Sequence, residues 1–97
     1  MSIPQFDVVI HEPNRLQICA FLAPLQNAEF QVLRDELNVS DSVMSKHIKH
    51  LEKTGYVHLS KNKVNGRQRT WIQLTDSGRD AFKNHVEALK RLAYLVD

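Results

Sequence analysis

Ser42, Lys46, Lys49 and Lys53 recur three or four positions apart, a spacing that gathers them on one face of a helix. Ser45 and His50 flank that face, and Val43 lies at its edge. Ammonium and hydroxyl groups in such a row donate hydrogen bonds to phosphates and to the acceptor edges of bases. Farther along, Lys61 and Lys63 precede an Asn65-Gly66 pair, and Arg67 and Arg69 follow it. Residues two apart share a face of a strand, so each limb of a hairpin here presents a pair of cations on one side. From Ser40 to Trp71 there are seven Lys and Arg against two acids, a net of +5, while the remaining residues carry six bases and nine acids, a net of −3. The whole chain is only +2. Basic charge gathered in one stretch of a nearly neutral chain is the footprint of a nucleic-acid face. The competing reading is a solvated surface helix, and the neighbouring elements weigh against it.

Other chemistries find less support. His47 and His50 stand at i, i+3, a spacing that suits a metal, but no further ligand lies near them, and His47 reads as a packing residue. Cys19, the single cysteine, lies in an apolar run and reads as a structural thiol; alone it excludes an intramolecular disulfide and fits a reducing cytoplasm. There are no paired carboxylates, no nucleophile beside a base and no glycine-rich phosphate loop, since the three glycines fall at turns and a helix start. No enzyme activity, cofactor or metal is expected. Neither a membrane-spanning run nor a signal peptide is evident, so the expected location is the cytoplasm, beside the nucleoid.

The elements that must position the cations follow in order. At 97 residues the chain is expected to form one domain, residues 1–97. Ser2 and Pro4 predict the start of a short helix through Phe6, Val8, Val9 and Ile10. Pro13 predicts the first turn of another, which runs through Leu16, Ile18, Cys19 and Phe21 to Pro24 and is apolar around most of its circumference. Leu25 to Ala28 reads as a loop. A helix over 31–37, a tight turn at Asn38-Val39-Ser40 and a helix over 40–54 then make a helix-turn-helix pattern. In that last helix Ser40 is the N-cap, Asp41 suits the positive dipole end, Met44, Ile48 and Leu51 form the inner stripe, and Gly55 ends it.

After Gly55 the period changes to two over Tyr56 to Lys61 and again over Arg69 to Leu74, around the Asn65-Gly66 turn, predicting a hairpin over 56–74. Thr75 caps a final helix over 75–96 with two adjacent apolar seams. Phe82, Val86, Leu89, Ala93 and Val96 form one; Gly78, Ala81, His85, Ala88, Leu92 and Leu95 form the other. One seam can pack on the body and one on a partner. His85, inside the second seam, reads as a packed or interfacial histidine that acid can charge.

Three strings, Ile10-His11-Glu12-Pro13-Asn14-Arg15-Leu16, the run from Met44 to Val57, and Leu74-Thr75-Asp76-Ser77-Gly78-Arg79, carry a family likeness. Together they resemble the small stand-alone winged helix-turn-helix transcriptional regulators of bacteria and archaea, relatives of the MarR and ArsR families. The likeness spans nearly the whole chain, from about Phe6 to the last helix. It implies a mainly α fold with a small β-hairpin (α+β). In such a fold the helix over 40–54 would lie in the major groove, and the hairpin over 56–74 would be the wing. The first and last helices would form a homodimer, with Phe6, Val9, Ala88, Leu92 and Leu95 as its interface residues. The chain departs from the metal-sensing branch in lacking cysteine pairs, and from the larger ligand-sensing branch in lacking extra helical mass.

The DNA-contacting set by angle and likeness is Ser42, Ser45, Lys46 and Lys49 with Val43 and His50 at the edges, Ser40 at the cap, and Lys61, Lys63, Arg67 and Arg69 on the wing. For Arg69 the competing use is an ion pair with an acid of its own domain. The expectation is therefore a dimeric regulator, a repressor by preference, that binds a roughly palindromic duplex site. Its partners would be double-stranded DNA, a second copy of the chain and an unidentified small-molecule effector. The alternative is a winged-helix module that contacts another protein of a transcription assembly. That use calls for an apolar patch on the recognition helix.

Overall fold

The computed structural model describes residues 5–96. Its first helical turn, α1 (Val8–His11), starts where Asp7 Oδ1 accepts hydrogen bonds from the backbone N–H of Val9 at 2.9 Å and Ile10 at 3.1 Å. The cap is therefore Asp7 and not the expected Ser2 or Pro4, both of which lie outside the described residues. α2 (Pro13–Leu22) begins with Pro13 in the first turn and Glu12 as the cap, whose carboxylate accepts from Arg15 N–H at 3.0 Å. Ile18, Cys19 and Leu22 on α2 have no exposed surface. Burial, with a smaller contribution from Asp7 and against the nearby Arg15, pushes the Cys19 thiol up to about 12, so this cysteine is an inert packing group.

α3 (Phe30–Leu37) ends on Asn38 in the left-handed conformation, φ 54° and ψ 49°, and α4 (Asp41–Thr54) starts three residues later. The Ser40 hydroxyl accepts from Val43 N–H at 3.2 Å, and Gly55, at φ 87°, stops the helix. Met44, His47, Ile48 and Leu51 turn inward, as the 3–4 spacing requires.

β2 (Val57–Val64) and β3 (Arg67–Leu74) form an antiparallel hairpin closed by Asn65 and Gly66, both at positive φ. Val57, Leu59, Ile72 and Leu74 lie on its inner face against the core. A third strand, β1 (Ala28–Glu29), pairs with β3 through Ala28 opposite Ile72 and Glu29 opposite Trp71, so the sheet order is β1-β3-β2. Ala28 was expected in a loop. Two residues show no alternation, and only the partner strand makes them a strand.

α5 (Asp76–Val96) is anchored at its first turn. Thr75 Oγ1 accepts from Gly78 N–H at 2.9 Å and donates to the Gly55 carbonyl at 2.6 Å, while Thr75 N–H donates to the Tyr56 carbonyl at 3.0 Å. Gly78 rests against that same carbonyl, in space a Cβ would have to share with the Tyr56 oxygen. The seam of Gly78, His85 and Ala88 faces the body; Leu92, Tyr94, Leu95 and Val96, near the helix end, are exposed. Ala88, expected at a dimer interface, is 7% exposed and packs within its own protomer. Phe6 is likewise engaged internally, its ring 4.6 Å from that of His11 and 5.3 Å from that of His85, and Val9 packs on the core.

Two polar clusters join the helices under the surface. His85 is 1% exposed; its Nδ1 accepts from Asp7 N–H at 3.2 Å, so its proton sits on Nε2, 3.1 Å from His11 Nδ1. Burial first, and the electrostatic influence of the neighbouring His11 second, hold His85 below the ordinary histidine range, against the opposing pull of Asp7. Between α2 and α4, Arg15 Nη1 donates to His47 Nδ1 at 3.0 Å, and Glu12 lies 3.4 Å from the same nitrogen. Burial lowers His47 too; Glu12 opposes it, while Arg15, Lys46 and His50 add to it. Tyr56 donates its hydroxyl to Asp7 Oδ2 at 2.6 Å, and this bond, with burial, raises the phenol to about 12.

Two outcomes are expected. Gly78→Ala lowers folding stability by about 1–3 kcal/mol, because the added methyl meets backbone that cannot yield; an unchanged urea midpoint would count against the close approach. His47 and His85 both titrate below their unfolded values, so the unfolded chain binds more protons and the stability they confer is full above the ordinary histidine range. It is lost as pH falls through about 6.5 toward the folded values. Thermal melts between pH 7.5 and 5.5 should drop, and His85→Gln should flatten the drop; a flat wild-type profile contradicts the assignment.

Candidate nucleic-acid interface

The outer face of α4 is polar. Asp41, Ser42, Val43, Ser45, Lys46, Lys49, His50 and Lys53 are all exposed, and Val43, at 37%, is the one large apolar side chain among them. Among the described residues, Lys46, Lys49 and Lys53 take part in no ion pair. The face therefore offers ammonium groups and small hydroxyls rather than the apolar patch that a protein-docking helix would present. Ser40 Oγ lies 3.2 Å from Ser42 Oγ, so the capping hydroxyl is joined to a second donor at the exposed helix start. The acid at that end, Asp41, is held by Arg34 Nη1 at 2.6 Å. Arg34 also pairs with Asp35, and these bonds, Asp41 first, raise its already high basicity. This neutralises the one carboxylate in the first turn of α4.

The hairpin register decides where its four cations go. Lys61 stands opposite Thr70 and Lys63 opposite Gln68, whereas Arg69 stands opposite Asn62 and Arg67 opposite Val64. Directly opposed residues share a face, so the lysines lie on one face of the wing and the arginines on the other. The lysine face continues the inner, core-packing face outward. Lys61 on this face lines a groove between wing and helix with Ser45, Ile48, Lys49 and the acidic Glu52 of α4. On the opposite face Trp71 Nε1 donates to Asn62 Oδ1 at 3.0 Å, bracing the two strands.

The two arginines differ. Arg67 is exposed and, among the described residues, has no acidic partner. Arg69 Nη1 donates to both carboxylate oxygens of Glu29, each at 3.0 Å. The competing use weighed for Arg69, an ion pair within its own domain, is the one the structure holds. Glu29 and Arg34 carried no signal in the pattern. Their partners are 40 and 7 positions away on different elements, so no period within one helix or strand links them.

Elsewhere the chemistry is sparse. Among the described residues no group of three or more His, Cys, Asp or Glu side chains is placed to hold a metal, and no helix is long and apolar enough to cross a membrane.

The comparisons with known proteins point the same way. A family model described as a winged helix DNA-binding domain matches residues 14–93. An uncharacterized protein of Methanocaldococcus jannaschii is 38% identical over 83 residues, which span 86% of this chain and 90% of that protein. The uncharacterized HTH-type transcriptional regulator YwhA of Bacillus subtilis is 35% identical over 57 residues, 59% of this chain and 40% of the regulator. Among solved structures, a transcriptional regulator homologue from Pyrococcus horikoshii superposes with a TM-score of 0.87 at 30% identity, over 94% of this chain and 90% of its own. With the helix-turn-helix, the wing and these matches in register, the chain belongs to the winged helix DNA-binding domain family.

Proposed function

We propose that this protein is a non-enzymatic transcription regulator that binds duplex DNA as a homodimer, with α4 in the major groove and the wing on the flanking backbone or minor groove. The observation that carries the reading is an exposed cation set that makes no ion pair among the described residues: Lys46, Lys49 and Lys53 on α4, Lys61 and Lys63 on one face of the wing, and Arg67 on the other. Phosphates neutralise such groups on binding and release counterions, so affinity falls steeply with salt. Ser42, Ser45 and His50 add donors that read base edges with little selectivity, and Val43 can meet a thymine methyl. Ser40 contributes first as a cap. Arg69, paired with Glu29, stands outside the contacting set.

Dimerisation rests on the apolar surface left outside the protomer. Val8 is 81% exposed on α1, and Leu92, Leu95 and Val96 are 38%, 48% and 83% exposed near the end of α5. These side chains, with Leu92 and Leu95 kept from the sequence-based set and Ala88 removed, are the surface a second copy would cover. A two-fold axis there would set the recognition helices about 34 Å apart, one helical turn of DNA, and would favour a palindromic operator and repression by occlusion. The lone apolar residue on the α4 face weighs against a protein-docking module.

Two measurements test this. Arg67→Ala should weaken binding to every duplex and reduce the slope of log affinity against log salt by about one; unchanged affinity and slope would remove Arg67 from the interface. Leu92→Glu should convert a dimer into a monomer by sedimentation at micromolar concentration. A wild-type monomer, or an intact Leu92→Glu dimer, would overturn the interface.

A further inference from the structure

We infer that Glu29 and Arg69 form a clamp that orients the wing and withholds one arginine from DNA, which makes Glu29 a specificity-determining residue for the DNA-binding reading on which this inference rests. Glu29 is the last residue of β1 and the residue before α3, where a side chain would ordinarily accept from the free N–H groups of the first turn. It makes no such bond. Its carboxylate, 14% exposed, is turned to Arg69 instead and accepts from Nη1 through both oxygens.

The register explains the reach. Glu29 pairs with Trp71 across the ladder, and Arg69 is two residues farther out on the same face of β3. The contact is the diagonal one that long side chains make between neighbouring strands. It joins the start of the helix-turn-helix to the wing at a point where β1, two residues long, has ended. The arginine is committed: its Nε is buried without a partner, a cost the paired geometry must offset, and Arg69 is half-buried where Arg67 is exposed.

For Arg69 to reach a phosphate it must abandon Glu29 or bring that carboxylate up to the backbone with it. The first leaves a mostly buried carboxylate unpaired, and the second sets like charges together. Glu29 thus subtracts one cation from the sequence-independent attraction to DNA. It also fixes the angle at which Arg67, two residues beyond Arg69 on the same face, meets the duplex. Weaker attraction to all sequences together with a fixed wing raises the ratio of specific to non-specific binding, the quantity on which site selection depends.

The test compares the wild type, Glu29→Gln, Arg69→Gln and the double variant, each checked for folding by thermal melt. Binding is measured across a salt series to a random-sequence duplex and to a duplex selected from a random pool by the wild type. Glu29→Gln should bind the random duplex about two- to fivefold more tightly, with a salt slope steeper by about 0.9, because a freed arginine gains a phosphate. The double variant should return both values to those of the wild type. Arg69→Gln alone should leave the random-duplex slope unchanged while lowering affinity for the selected duplex. An ion pair that only held the fold together would weaken binding in both single variants and steepen neither slope. The clamp is overturned if Arg69→Gln flattens the slope, or if Glu29→Gln leaves affinity and slope where they were. Wild-type protein that binds no duplex overturns the DNA-binding reading together with the clamp, whereas wild-type binding with either of those slope results overturns the clamp alone.

Discussion

The rest of the molecule depends on one backbone joint, where the carbonyl of Tyr56 accepts from Thr75 N–H with Gly78 pressed against it. Gly55 and Tyr56 end α4 and open β2; Thr75 follows β3 and caps α5. Four elements therefore meet at a few atoms, and the absence of a Cβ at Gly78 lets them come that close. The Tyr56 side chain extends the joint to the N-terminal segment through Asp7. The close packing at this contact couples α5 to α4, beside the links that run through α1 and α2. The exposed apolar end of α5 and the polar outer face of α4 are thereby held in one geometry.

Charge on this protein is sorted by pairing rather than by number. The stretch from Ser40 to Trp71 holds seven bases and two acids, yet Asp41 is tied to Arg34 and Arg69 to Glu29, both partners lying outside that stretch. One pair removes an acid from the α4 face, and the other removes a base from the wing. The charge presented to a duplex is thus set by ion pairs across element boundaries. The lysines that remain free are compact, strongly hydrated charges suited to phosphate, and the free wing arginine is the cation better suited to a narrow minor groove.

Beneath that face lie polar groups a small core can hold only when fully partnered. Arg15, 9% exposed, bonds the Val9 carbonyl and His47, and so links the N-terminal turn and α2 to the underside of α4. His85, Asp7 and His11 make the corresponding link to α5. Each network needs a neutral histidine as its acceptor, which ties the rigidity of the scaffold to pH on the same side of neutrality.

Much of this was legible in order along the chain. Ser40 and Gly55 bounded α4, Asn38 closed the turn before it, Asn65-Gly66 set the hairpin, and Thr75 began the last helix. Each rests on an interaction within four residues, or on a backbone conformation only certain side chains tolerate. What only the tertiary structure decided is separated in sequence. Ala28 and Glu29 became a strand because β3 lay beside them. Asp7 took the cap expected farther upstream. Ala88 turned inward, and Arg69 went to an acid 40 positions away. Local rules place a residue on an element and a face. Which partner waits opposite that face is settled by packing, where a charge or an apolar surface takes the contact that best offsets its loss of water.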